Sequence, residues 1–216
     1  MQLTPAQIIM MSKIDKLRNL LVNALKSGKQ LILWELTHEE FELIELLCLV
    51  ENSDHSKTDD IFIELKANID CGIDEYSNAI IDEFKEMQEK TNKLAKDNQW
   101  LLKNWDINKH KHSNPIKTRI TDFFNDFLLQ MPDFEDKIIL YLNPSQKTNE
   151  TDLIKLCSKY FFAETNARII IMLSSVKNTF SELHQSFEKI STIIIPNLKM
   201  NEAIKQMATA GNPSAP

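Results

Sequence analysis

Directly after its first apolar run, QLILWEL at 30–36, the chain places Thr37-His38-Glu39-Glu40. A phosphate-binding loop there would read GxxxxGK[ST], because successive backbone N–H groups must wrap the phosphates and a lysine must reach them. Glu39 and Glu40 would instead turn two carboxylates on a triphosphate. Gly28-Lys29 precedes the run and so lies at its wrong end. The acid that should close the third apolar run, IILYL, is replaced by Asn143-Pro144, and neutral Asn is a much weaker magnesium ligand than aspartate. One unorthodox phosphate site can still be written down, Lys29 with the amides at the start of the Thr37 helix.

Other reactive groupings are sparse. The dinucleotide fingerprint GxGxxG, the nucleophile elbow GxSxG and the zinc motif HExxH are absent. His110-Lys111-His112 has the spacing of a weak metal pair but no adjacent acid or third ligand, so both imidazoles are expected in solvent. His38 in a first helical turn and His184 on an amphipathic helix are expected at the surface. Asp59-Asp60 and Asp133 to Asp136 fall at segment starts, where acids favour turns and helix N-termini. Cys48, Cys71 and Cys157 are odd in number and outside any CxxC pattern, which argues for buried reduced thiols over disulfides or a zinc ribbon.

Residues 99–119 carry Trp100 and Trp105 with Lys103, Lys109, Lys111, Lys117 and Arg119 against a single Asp106. That mixture suits base stacking with phosphate contact. The net charge of −6 over 216 residues argues against nucleic acid. The expected arrangement is a loop covering a sheet edge with its tryptophans tucked beneath. Were it exposed, Trp100, Trp105, Lys109 and Lys111 would form a protein-interaction surface, since Trp is enriched at binding hot spots.

Composition sets the class. At 43% hydrophobic and 26% charged the chain is an ordinary globular sequence. It has only three glycines, where average usage gives roughly 15, so no glycine-rich loop can be assembled. No apolar stretch reaches the ~18 residues of a membrane span, and the first residues lack the order of a secretory signal; cytoplasmic residence is expected.

The elements that must carry these residues alternate. Thr4-Pro5 marks a helix N-cap and first turn, and Ser12 to Asp15 has the form of a second capping box. Ile14, Leu17, Leu21 and Leu25 follow at helical spacing, with Gly28 as the left-handed stop. Strands are predicted at 30–36, 61–67, 136–142, 167–173 and 191–195. The helices between them run from Thr37 through Cys48, Tyr76 to about Asn98, 116–131, 152–162 and 180–190. Strands separated by helices of this length call for a mainly parallel sheet. The expected architecture is therefore α/β, a three-layer, mainly parallel five-stranded sheet flanked by helices. Residues 1–28 form an N-terminal helical segment packed on the core, and 29–210 a single domain with an irregular insertion at 99–115. Residues 211–216 are a linker-like tail, with the natural chain expected to continue beyond Pro216.

Several segments taken in order resemble a bacterial family, the inactive relatives of the STAND signalling ATPases. They are LILWELTHEEFELIELL (31–47), DDIFIELKANIDCGIDEYSNAIIDEF (59–84), IILYLNPS (138–145), RIIIMLS (168–174) and TIIIPNLKMNEAIKQMATAGNP (192–213). The resemblance implies a degenerate P-loop NTPase-like core, with the first strand central and the third and fourth beside it. It implies no enzyme activity and no cofactor or metal, and it carries over no catalytic or binding residue. The implied role is a switch or docking unit in conflict or stress signalling. Its partners would be proteins, with tetratricopeptide repeats or effector modules in the same or neighbouring chains. An ATPase with the atypical site and a nucleic-acid binder through 99–119 are the competing readings.

Overall fold

The computed structural model describes residues 4–67, 73–97, 105–110, 119–130, 136–142, 150–158, 168–176 and 179–210. The chain opens with a helix at Pro5–Lys26 (α1), capped by a box in which the Gln7 amide donates to Thr4 Oγ1 and the Thr4 amide to Gln7 Oε1. The second box at Ser12 does not form. The helix runs straight through it, and the Ser12 hydroxyl turns back to donate to the Ile9 carbonyl. Gly28, at φ +72°, reverses the chain after Ser27 into the strand Leu31–Leu36 (β1). A 3₁₀ turn at His38–Glu40 leads into Phe41–Glu51 (α2).

The unit then repeats. Ile61–Leu65 (β2), Ile73–Asp97 (α3), a 3₁₀ turn at Ile107–His110, Arg119–Leu129 (α4) and Ile138–Leu142 (β3) follow in order. Glu150–Leu156 (α5), Ile169–Val176 (β4), Ser181–Ser186 (α6), Ser191–Ile194 (β5) and Met200–Ala210 (α7) complete the described elements. The 180–190 helix is cut short. Ile190 and Ser191 both donate to the Phe187 carbonyl, a turn that lets β5 begin beside β1.

All five strands are parallel, in the order β2-β3-β4-β1-β5. β4 is the central strand. The expectation that β1 is central with β3 and β4 beside it is corrected: β1 lies between β4 and β5, and β3 is one strand further away. Leu33 aligns with Leu173 on one side and Ile193 on the other.

Alternation along the strands divides the core in two. Leu31, Leu33, Leu140 and Ile171 face α3 to α6, meeting Ile80, Phe84, Phe123, Phe124, Leu153 and Leu183. Ile32, Trp34, Tyr141 and Met172 face the other way, onto Leu17 and Leu21 of α1, Ile44 and Leu47 of α2, and Met200 of α7. Helices thus cover both faces, which is why β3 and most of β1 and β4 are apolar. Among the described residues no helix is long and apolar enough to cross a membrane.

Candidate functional site

Open α/β sheets offer ligands the crevice beyond the carboxyl ends of their strands. At the end of β1 that crevice is occupied by the chain itself. Glu40, only 2% exposed, folds back over the turn so that Oε2 accepts the Thr37 amide at 2.9 Å. Its other oxygen, Oε1, accepts the Leu198 amide at 2.7 Å. Glu35, next to last in β1 and also buried, accepts the Phe180 amide at 3.4 Å. Two carboxylates therefore sit on backbone donors around the exit of β1.

The segment beyond β5 is held from its other side by α1. Lys13 Nζ donates to the Leu198 carbonyl at 2.7 Å, and Lys16 Nζ to the Asn197 carbonyl at 3.1 Å. Asn197 and Lys199 take φ of 45° and 53°, the left-handed region that costs a residue other than glycine roughly 1–2 kcal/mol. Leu198 between them is buried in the core. One carboxylate and two ammonium groups thus fix a strained turn.

Lys29 lies at the opposite end of β1, its ammonium on the carbonyls of Glu188 (3.3 Å) and Lys189 (2.8 Å). The six strand residues between it and Thr37 span about 20 Å at roughly 3.3 Å each. The unorthodox phosphate site of Lys29 with the Thr37 helix amides is accordingly not formed. Asn143 and Pro144 lie outside the described residues.

The second candidate region is organised by Asp126 on α4. A single oxygen, Oδ2, receives Trp105 Nε1 at 2.6 Å, Lys109 Nζ at 2.8 Å and His110 Nε2 at 3.1 Å. Trp105 stacks on Phe123 and Phe127 with ring centroids 5.3 and 5.4 Å away, and its carbonyl accepts Gln88 Nε2 of α3. His110 is buried edge-on against Phe123, so the expectation of a solvated imidazole is corrected. Asp126 provides what the H-x-H spacing lacked, an acid sixteen residues downstream. Burial works to raise the Asp126 carboxyl; the hydrogen bonds from Lys109, His110 and Trp105 outweigh it and hold it below the usual carboxylate range. Trp105 and Lys109 are thus engaged within the fold, although the Lys109 side chain stays half-exposed. Trp100, Lys103, Lys111, His112 and Lys117 lie outside the described residues.

Elsewhere, Glu51 on α2 is fully buried and pairs with Arg18 of α1 at 2.5 Å, while also accepting Ser56 Oγ and the Lys57 amide. At the amino end of the sheet a cavity of about 320 Å³ is lined by Lys26, Lys57, Asp59, Asp60, Asp136 and Lys137, among others. Asp60 accepts the Lys137 amide there, and burial raises its carboxyl. Burial also pushes the thiols of Cys48 and Cys157 up to about 12; both are free, and Cys71 lies outside the described residues. His38 is exposed as expected, and His184 Nδ1 meets Ser191 Oγ at 2.7 Å. Among the described residues no three His, Cys, Asp or Glu side chains are placed to hold a metal ion.

No family model matches the chain, and no curated protein does. Among solved structures it is similar to a chain in the structure of Drosophila ORC bound to DNA, with a TM-score of 0.52 at 9% identity over 94% of its own length. It spans 32% of that chain. The likeness is one of fold, and it agrees with the α/β arrangement of a five-stranded parallel sheet covered by helices on both faces.

In the sequence Glu40 is both an obstacle to phosphate and the last residue of a Thr37-His38-Glu39-Glu40 capping box, and that box is present in the structure. The Thr-x-x-Glu spacing did signal one of its two bonds, the return to the Thr37 amide. Nothing local signals the second, since Leu198 is brought there only by the pairing of β5 with β1.

Proposed function

We propose that this chain is a noncatalytic NTPase-like domain that acts by binding proteins, in the manner of the inactive STAND domains it resembles in sequence. In this reading it serves bacterial conflict or stress signalling in the cytoplasm, as a docking or switch unit for repeat or effector modules. The observation that carries the reading is Glu40. Its buried carboxylate sits on the Thr37 amide at the end of β1 and on the Leu198 amide beyond β5, with Glu35 close behind in β1. Unit charges of like sign about 5 Å apart at an effective dielectric of about 20 repel by about 3 kcal/mol per pair. A triphosphate would meet that repulsion from the side chains that already use the donors it needs.

The deciding experiment combines calorimetry with Mg-ATP and Mg-GTP, a thermal-shift series and a phosphate-release assay on the full chain. The expected result is no saturable heat, no shift at millimolar nucleotide and no release above background. Clear turnover, or binding competed by inorganic phosphate, would overturn the reading.

A further inference from the structure

The two outer strands of the sheet are treated differently. In β2, Ile61 donates to Lys137 of the neighbouring strand, so Phe62 and Glu64 direct their peptide groups outward. Asn52 covers the first of these like a strand partner: its Nδ2 donates to the Phe62 carbonyl at 2.7 Å and its Oδ1 accepts the Phe62 amide at 3.0 Å. Glu83 accepts the Lys66 amide at 2.8 Å, two repeats further along. Side chains therefore close this edge on both sides of Glu64.

At the opposite edge Leu31 donates to the Ile190 carbonyl, which turns Thr192 and Ile194 toward β1 and leaves Ser191, Ile193 and Ile195 facing out. The Ser191 amide is satisfied by the Phe187 carbonyl. The peptide groups of Ile193 and Ile195 have no partner among the described residues, and the Ile195 side chain is 50% exposed. Unpaired edge groups beside an exposed aliphatic side chain form a template for an added strand.

Charge selects the occupant. Lys29 and Lys189 stand at the start of this edge, and Lys16 and Lys199 at its end, against Glu188 and Glu202. A second copy paired antiparallel would set the basic start of one β5 against the basic end of the other. We propose that the outer edge of β5 is the docking surface for an extended acidic peptide segment of a partner protein, which adds as a further strand through the peptide groups of Ile193 and Ile195. This deepens the protein-binding reading above and rests on it only for the class of partner.

The test titrates the full chain with a capped synthetic nonapeptide of alternating valine and threonine flanked by glutamate pairs, following backbone amide exchange by NMR. Protection is expected at Ile193 and Ile195 and not at Glu64. The same peptide N-methylated at alternate residues, unable to pair, is expected not to bind. The surface variant Lys189→Glu/Lys199→Glu is expected to bind about tenfold more weakly and to prefer a lysine-flanked version of the peptide. Absence of protection at millimolar peptide, or equal binding of the N-methylated peptide, overturns the proposal. So does a concentration-dependent dimer that protects the same amides without peptide, which would assign the edge to a second copy. None of these outcomes depends on nucleotide, so the ATP experiment is decided separately.

Discussion

The carboxylate of Glu40 accepts the amide of Leu198 at 2.7 Å, joining the turn after the first strand to the turn after the last across 158 positions of sequence. Because the same carboxylate also holds the Thr37 amide, its loss leaves two backbone donors without it.

Glu40→Ala is therefore expected to cost about 3 kcal/mol, since each buried donor left unsatisfied costs roughly 1–3 kcal/mol. Glu40→Gln keeps one acceptor oxygen and should lose about half as much. Urea unfolding measures both, and amide exchange at Leu198 should quicken in step. A Glu40→Ala chain as stable as the parent would show that the turn is held by Lys13 and Lys16 alone.

The Arg18–Glu51 pair joins α1 to α2 in a fully buried setting on the Glu51 side. Arg18→Met leaves that carboxylate without its cation and should cost about 3 kcal/mol, within the range for a broken buried pair. Asp15 also meets Arg18, at 3.6 Å, but more than half of its side chain is exposed. Asp15→Ala should fall below about 1 kcal/mol. Comparable losses in the two variants would contradict the assignment of the larger role to Glu51.

Asp126 supplies a pH test with a definite sign. Its folded carboxyl lies below the unfolded value of about 3.9, so the ionised form favours the fold. The contribution is present above the unfolded value and is lost as pH falls through the folded one. The melting temperature of Asp126→Asn should sit below that of the parent at neutral pH, and the gap should narrow on acidification below about pH 4. A gap unchanged through that interval would refute the linkage.

Asp60 runs in the opposite direction. Burial raises its folded carboxyl, opposed by the Lys137 amide and ammonium, so the neutral form favours the fold. The associated stability is present below the unfolded value and is lost as pH rises through the folded one. Asp60→Asn, whose side-chain oxygen can still accept the Lys137 amide, should be more stable than the parent at neutral pH and converge with it in acid. Thermal unfolding across that range would reveal a contrary trend.

The elements were legible because each has a local cause. Thr4-Pro5 caps, Gly28 supplies the left-handed exit, and the apolar runs of β1, β3 and β4 need cover on both faces. Neighbour relations have no such local cause. Periodicity gives a strand its faces but not its partners, so the place of β1 between β4 and β5 could not be read from LILWEL. The same applies to the sites. His110 looked solvated because Asp126 and Phe123 reach it from another helix, and Ser12 looked like a helix start because its spacing matched a box inside a continuous amphipathic pattern. Glu40 was half legible, one bond local and one remote.

The strand order also bears on how the chain is made. β1 ends at Leu36, yet the strands that pair with it, β4 and β5, begin only at Ile169 and Ser191. Until residue 194 has emerged, LILWEL is a nascent apolar segment whose two hydrogen-bonding sides await their neighbours. Non-local pairing of this kind is slow and exposed to aggregation, so ribosome-associated chaperones should engage the chain in the interval between synthesis of β1 and of β5.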